Sequence, residues 1–278
     1  MRFRRGARLD PGQIRDIRGR SSGIGMGMPA IGTGGGIVGV IVVLLFMFLN
    51  NGGGSSSGFN IDPSVGENDD VAQECQTGED ANESQDCRIV AVVNSVQTYW
   101  DQAIPEYSEA RTTLFTDQVS TGCGAASSAV GPFYCPPDQN VYVDLGFFGD
   151  LESRFGAEGG PFAEAYVLAH EYGHHVQNVL SARGDSIPME LQADCYAGVW
   201  AKNAVDTGFI TELSDDDIRI ALDAAAAVGD DRIQRRTSGR VDPDSWTHGS
   251  AESRMRWFTT GMQKGTLRAC DTFSTNQL

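Results

Sequence analysis

The chain has little histidine. Only four of its 278 residues are histidine, and three of those fall within one six-residue window, "HEYGHH", residues 170–175. Positive charge is also missing where a nucleic-acid-binding protein would need it. Seven arginines (Arg2, Arg4, Arg5, Arg8, Arg15, Arg18, Arg20) against Asp10 and Asp16 give residues 1–20 a net charge of +5, so the overall −16 leaves −21 on the rest of the chain. Phosphate backbones need cationic surfaces, and an acidic body therefore excludes nucleic acid as a partner. No cysteine precedes position 75, no CxxC pair occurs, and there are no internal repeats. The missing CxxC removes both a thioredoxin-type site and a cysteine zinc site.

An uncharged stretch, residues 21–61, follows the basic head, and its apolar core is "AIGTGGGIVGVIVVLLFMFL", residues 30–49. About 20 apolar residues are needed to cross a bilayer as a helix, and glycine is tolerated in such helices. With arginines only on the N-terminal side, the positive-inside rule puts residues 1–20 in the cytoplasm and 51–278 outside, behind an uncleaved single-pass anchor in the cell membrane. A cleaved signal peptide is the rival reading, but the apolar core starts late and is long for one. "GGGIVG" within this stretch matches GxGxxG, yet it opens an apolar helix rather than following a strand, so it is no dinucleotide fingerprint. Helix flexibility, or close helix approach through Gly32/Gly36 and Gly35/Gly39, is the better reading.

All six cysteines (Cys75, Cys87, Cys123, Cys135, Cys195, Cys270) lie beyond that stretch. In an extracytoplasmic domain an even number implies disulfides, although buried thiols would pack equally well as small apolar groups. Proximity favours Cys75–Cys87 and Cys123–Cys135 among the fifteen possible connectivities, leaving Cys195–Cys270.

The organisation that follows is a basic head (1–20), a transmembrane segment (21–50), a flexible acidic tether (51–87, from "NNGGGSSSGFN" to "QTGEDANESQDC") and a folded domain (88–278). "NES" at Asn82 is a formal glycosylation sequon, a pattern common by chance. In the domain, "RIVAVVNSVQTYWDQAI" has helical spacing and stops at Pro105. "VYVDL", residues 141–145, reads as a strand. Helices are expected over 163–181, 189–204 and 214–228, the last with Ser214 and Asp217 as a capping box. The acidic run 215–217 lacks the alternating spacing of a calcium loop and reads as a solvated helix N-terminus. The fold class is α+β, mostly helical with a small β element, preceded by one transmembrane helix.

His170 and His174 lie four apart, so their rings project from one helix face with Glu171 between them. This is H-E-x-x-H, a pair of zinc ligands and a general base, set in a strongly apolar helix where unpaired imidazoles would be costly. A catalytic zinc site takes three protein ligands and keeps an open position. In "PMELQADCYAGVW" Glu190 and Asp194 again share a face. Glu190 would be the third ligand, and Asp194 would accept a hydrogen bond from the non-ligating nitrogen of a zinc-bound histidine. The bland alternative is that both are exposed helix charges. His175 lies about 100° round the helix from His174 and reads as a packing residue. His248, in "WTHGSAESRMRWF", is either a donor to the oxyanion of a carbonyl under attack or a surface loop residue.

"AYVLAHEYGHHVQNVL", "ELQADCYAGVWA", "VGDDRIQ", "THGSAESRMRWF", "CDTF" and "GPFYCP…VYVDL" together resemble the bacterial putative neutral zinc metallopeptidase family, over residues 123–273. That resemblance implies a small, membrane-anchored protein whose zincin-like core carries HExxH followed by ExxxD. The motif order is also similar to the gluzincin group, which implies His170, His174 and Glu190 on zinc. The implied activity is hydrolysis of peptide or protein substrates, with Glu171 taking the proton of water and returning it to the leaving amine. "VYVDL" is the expected edge strand that aligns the peptide by backbone pairing. The alternative function is a non-catalytic, zinc-stabilised module that binds a cell-envelope partner.

Overall fold

The computed structural model of the chain describes residues 1–19 and 70–275. The expected long helices are present. Helices α1 (Asp70–Glu74), α2 (Gly78–Glu83) and α3 (Gln85–Ala103) come first, α3 carrying the fully buried row Ile89, Val90, Val92, Val93, Val96 and Trp100. Helix α4 (Gly146–Ser153) leads into α5 (Pro161–Val179) and α6 (Ser186–Asn203), which are buried on nearly every side and form the centre of the core. Proline opens α5 at its first turn, where its missing N–H costs nothing. Helices α7 (Asp215–Ala227), α8 (Asp230–Thr237) and α9 (Ala251–Lys264) complete the set. Helix α7 has the expected capping box, with Ser214 and Asp217 bonding reciprocally.

The β element is larger than one strand. Strands β1 (Arg2–Phe3), β2 (Ile14–Asp16), β3 (Arg111–Leu114), β4 (Gln118–Thr121), β5 (Gly124–Ser127), β6 (Phe133–Cys135), β7 (Asn140–Val143) and β8 (Ile210–Glu212) form three sheets. The main sheet has the order β2-β3-β7-β6, parallel except for the β6–β7 pair. Strand β7, expected as the edge that aligns a peptide, has both sides paired and cannot accept another strand. The edges of this sheet are β2 and β6, and β6 is the one beside β7. Strands β6 and β7 are both short and apolar, and only the pairing order tells them apart.

The basic head is part of this fold. Strand β1 pairs with β8, and β2 pairs with β3 in the main sheet. The Asn94 amide bonds the Asp10 backbone in both directions, and Arg18 bridges Asp16 and Asp86. A bilayer cannot separate strands that are hydrogen-bonded in one sheet, so the expected placement of residues 1–20 inside and the domain outside is overturned. Among the described residues no helix is long and apolar enough to cross a membrane. The fold class is α+β, and the expected preceding transmembrane helix is not found among the described residues. Residues 30–49, on which that expectation rested, and the GxGxxG match within them lie outside the described residues.

Residues 70–87 are folded as well. Val71, Cys75, Ala81 and Cys87 are buried, and Thr77 and Asp80 cap α2 reciprocally. Apolar content there is low, but Cys75–Cys87 staples the segment to the start of α3. The other two disulfides are Cys123–Cys135 and Cys195–Cys270, so the pairing is the one that proximity favoured. The sequon asparagine, Asn82, commits its side-chain amide to the backbone of Phe3.

Candidate metal centre

Helix α5 carries His170, Glu171 and His174, and α6 carries Glu190 and Asp194. The two helices come unusually close because of Gly173, inside the HExxH window: a Cβ there would lie 2.9 Å from both the Cα and the carbonyl oxygen of Ala193. This contact brings the carboxylates of α6 over the imidazoles of α5. One ligand atom each from His170, His174 and Glu190 lies within 4.8 Å of the others. His170 Nε2 is 3.2 Å from Glu190 Oε2, and His174 Nε2 is 3.5 Å from Glu190 Oε1. His170 and Glu190 are buried and His174 is partly exposed, so the cluster meets solvent at His174.

The far side of each ring is also engaged. His170 Nδ1 donates to Asp194 Oδ1 at 2.8 Å, and His174 Nδ1 donates to Gln177 Oε1 at 2.9 Å. In the neutral tautomers this leaves both Nε2 lone pairs facing a buried carboxylate, an arrangement that only positive charge stabilises. Protons supply it in the metal-free cluster. Burial alone would lower His170, but the Asp194 carboxylate and the bonds to Asp194 and Glu190 raise it to about 10. His174 is likewise raised by Glu190 against the effect of burial. Burial would raise Glu190, but the charges of His174 and His248 and the bonds from the two α5 histidines hold it well below the usual carboxylate value. Two imidazoles and a carboxylate, with tautomers fixed from behind, fit a divalent cation of the zinc type. Glu190 and Asp194 are buried, which removes the reading of both as exposed helix charges.

Glu171 is buried beside the cluster. Burial raises its carboxyl above the ordinary value, while His170 and His174 pull it back and the Tyr134 backbone N–H bonds its charged form. Tyr134 belongs to β6, so the edge strand and Glu171 face the same place. His248 also borders the cluster, close enough for its charge to help hold Glu190 ionised. It is not a free loop residue. The Asp230 carboxylate accepts the backbone N–H groups of Thr247, His248 and Gly249, and His248 Nδ1 donates to it at 3.2 Å. His175 points elsewhere and is a packing residue: Nε2 donates to the Ser108 carbonyl, Nδ1 accepts from the Tyr134 hydroxyl, and burial lowers its basicity.

Tyr166, Gln177 and Arg254 belong to the site; they lie inside the strings that carry the family resemblance, but the sequence pattern assigns them no role. Tyr166 donates to Asp194 Oδ1 at 2.5 Å, and Arg254 holds both Asp194 oxygens at 2.7 and 2.9 Å. Burial would raise Asp194, but Arg254 and His170 lower it to about 2. A signal existed for the tyrosine, which is four residues before His170 and so shares its face. Helix α9 reaches α6 because Gly198 and Gly261 leave no Cβ between the two backbones; a Cβ on Gly261 would lie 1.9 Å from the Cys195 carbonyl oxygen.

Proteins of Mycobacterium bovis and Mycobacterium tuberculosis, both described as uncharacterized, are each 52% identical to this chain over 227 residues, which is 75% of this chain and 77% of theirs. An uncharacterized protein of Escherichia coli K12 is 39% identical over 213 residues, 69% of this chain and 73% of its own. No solved structure matches the chain. The sequence profile of the family described as "Putative neutral zinc metallopeptidase" matches residues 1–273, basic head included, and the chain belongs to that family.

Proposed function

We propose that the protein is a zinc-dependent endopeptidase that works outside the cytoplasm. The observation that carries this reading is the placement of Glu171: a buried carboxyl of raised pKa, on the same helix as His170 and His174, bonded by the backbone of an edge strand. His170, His174 and Glu190 would hold the metal. Zinc held there supplies polarisation of the scissile carbonyl and lowers the pKa of water to about 7. Glu171 accepts the proton of the attacking water and passes it to the leaving amine; its raised pKa suits both halves of that task. His248, oriented by Asp230, donates from Nε2 to the oxygen that becomes anionic. An extended peptide aligns along the outer edge of β6, where no described strand pairs. The three disulfides support an oxidising compartment, extracellular or periplasmic.

A purely structural zinc site, as in a non-catalytic binding module, is usually closed by four protein ligands, whereas among the described residues this cluster has three and meets solvent at His174. The test is cleavage of unstructured casein by the purified protein. Chelation should stop it and added zinc restore it. Cleavage that persists in chelator would remove zinc from the chemistry.

A further inference from the structure

We propose that Tyr166 and Arg254 are positioning residues of the metal centre, which lock the Asp194 carboxylate and through it hold the His170 ring with Nε2 turned to the cation. The inference rests on the reading of His170, His174 and Glu190 as zinc ligands.

Three helices meet at Asp194. Oδ1 accepts from Tyr166 at 2.5 Å, from His170 Nδ1 at 2.8 Å and from Arg254 Nη2 at 2.9 Å, while Oδ2 accepts Arg254 Nε at 2.7 Å. Arg254 also donates to the Tyr166 hydroxyl at 3.1 Å and to the Val228 carbonyl at 3.2 Å, which ties it to the end of α7. Tyr166, Asp194 and Arg254 are 2%, 0% and 3% exposed. The carboxylate therefore has no freedom to rotate, and its charge is balanced inside the cluster.

A buried arginine–aspartate pair could simply staple α9 to α6. Two features go beyond a staple. Tyr166 and His170, one turn apart on α5, donate to the same oxygen, so the tyrosine fixes the acceptor the histidine needs. The fork of Arg254 takes Nε and Nη2 to separate oxygens, which sets the plane of the carboxylate and hence the direction offered to His170 Nδ1. Lysine would keep the charge and lose that plane.

The test is a zinc competition titration of the whole chain against a chromogenic chelator, with thermal unfolding of each metal-free variant alongside. Tyr166→Phe and Arg254→Lys should each weaken zinc about 10–100-fold, the range for partners behind a ligand. Because both act through one carboxylate, Tyr166→Phe should cost less than about twofold more in an Asp194→Asn background. A merely structural role predicts the opposite pattern: lower metal-free stability with unchanged zinc affinity, or the same loss in both backgrounds. Either result overturns the proposal. If Arg254→Lys fails to fold, Tyr166→Phe alone carries the test. A parent protein that binds zinc and cleaves no peptide would defeat the catalytic reading and leave this inference standing. A parent that does not bind zinc would overturn both.

Discussion

Replacing Gly173 by alanine should loosen the metal site without touching any residue that bonds to it. The added Cβ would lie 2.9 Å from two backbone atoms of Ala193, against an ordinary contact of at least 3.4 Å, so α5 and α6 must part by about 0.5 Å. Neither neighbour is the end of a flexible side chain, so the strain has no cheap outlet. Overpacking of this kind costs about 1–3 kcal/mol, or ~2–12 °C in Tm for a chain of this size. The same displacement carries Glu190 and Asp194 away from the imidazoles by more than the ~0.2 Å tolerance of a metal site, so zinc affinity should fall about tenfold or more. Gly149→Ala in α4 is the control. Nothing lies within 4 Å of its added Cβ, and alanine there should be neutral or stabilise by up to about 1 kcal/mol. The assays are thermal unfolding and zinc competition on both variants. A Gly173→Ala protein with the Tm and zinc affinity of the parent would refute the claim that this contact sets the site.

Glu190→Ala should leave zinc weakly held even in excess metal, and Asp194→Asn should cost only about 10–100-fold in affinity, as for partners behind a ligand; titrations that reverse this order would show the two roles to be exchanged. In the metal-free protein His170 is raised from 6.5 to about 10, so its contribution to stability is complete below its unfolded value and is lost as pH rises toward the folded one. Zinc must displace those protons, and its affinity should climb through the same window. Thermal melts with and without zinc should therefore diverge as pH rises, and parallel curves would contradict the charge balance assigned to the cluster.

How much of this was legible in the sequence depends on range. Helices α3, α5, α6 and α7 are long and periodic, and their capping and proline signals are local, so their extents could be read directly. The residues of the metal cluster could be read for the same reason: His170 with His174, and Glu190 with Asp194, are pairs four apart on single helices. Strands of two to four residues carry too little pattern, and their identity comes from partners far away, as when Ile14 pairs with Thr112. That is why the local pattern points to β7 as the edge although β6 holds that place. The head misleads for a related reason. Its arginines match a topological signal, and nothing local reveals that β1 and β2 complete two sheets. Arg254 lies in the quoted string "THGSAESRMRWF", but its role cannot be read locally because it meets Asp194 across 60 positions of sequence. Tyr166 was within reach, one turn before His170.

The most direct test of the central claim is cleavage of an unbiased peptide library by the zinc-loaded parent and by zinc-loaded Glu171→Gln, with metal content measured on both samples. The account predicts that both hold zinc equally and that the variant is slower by about 10²–10⁴-fold, since the amide keeps the shape of the carboxylate and cannot take the proton. A zinc-loaded variant that cleaves at the parental rate would contradict it.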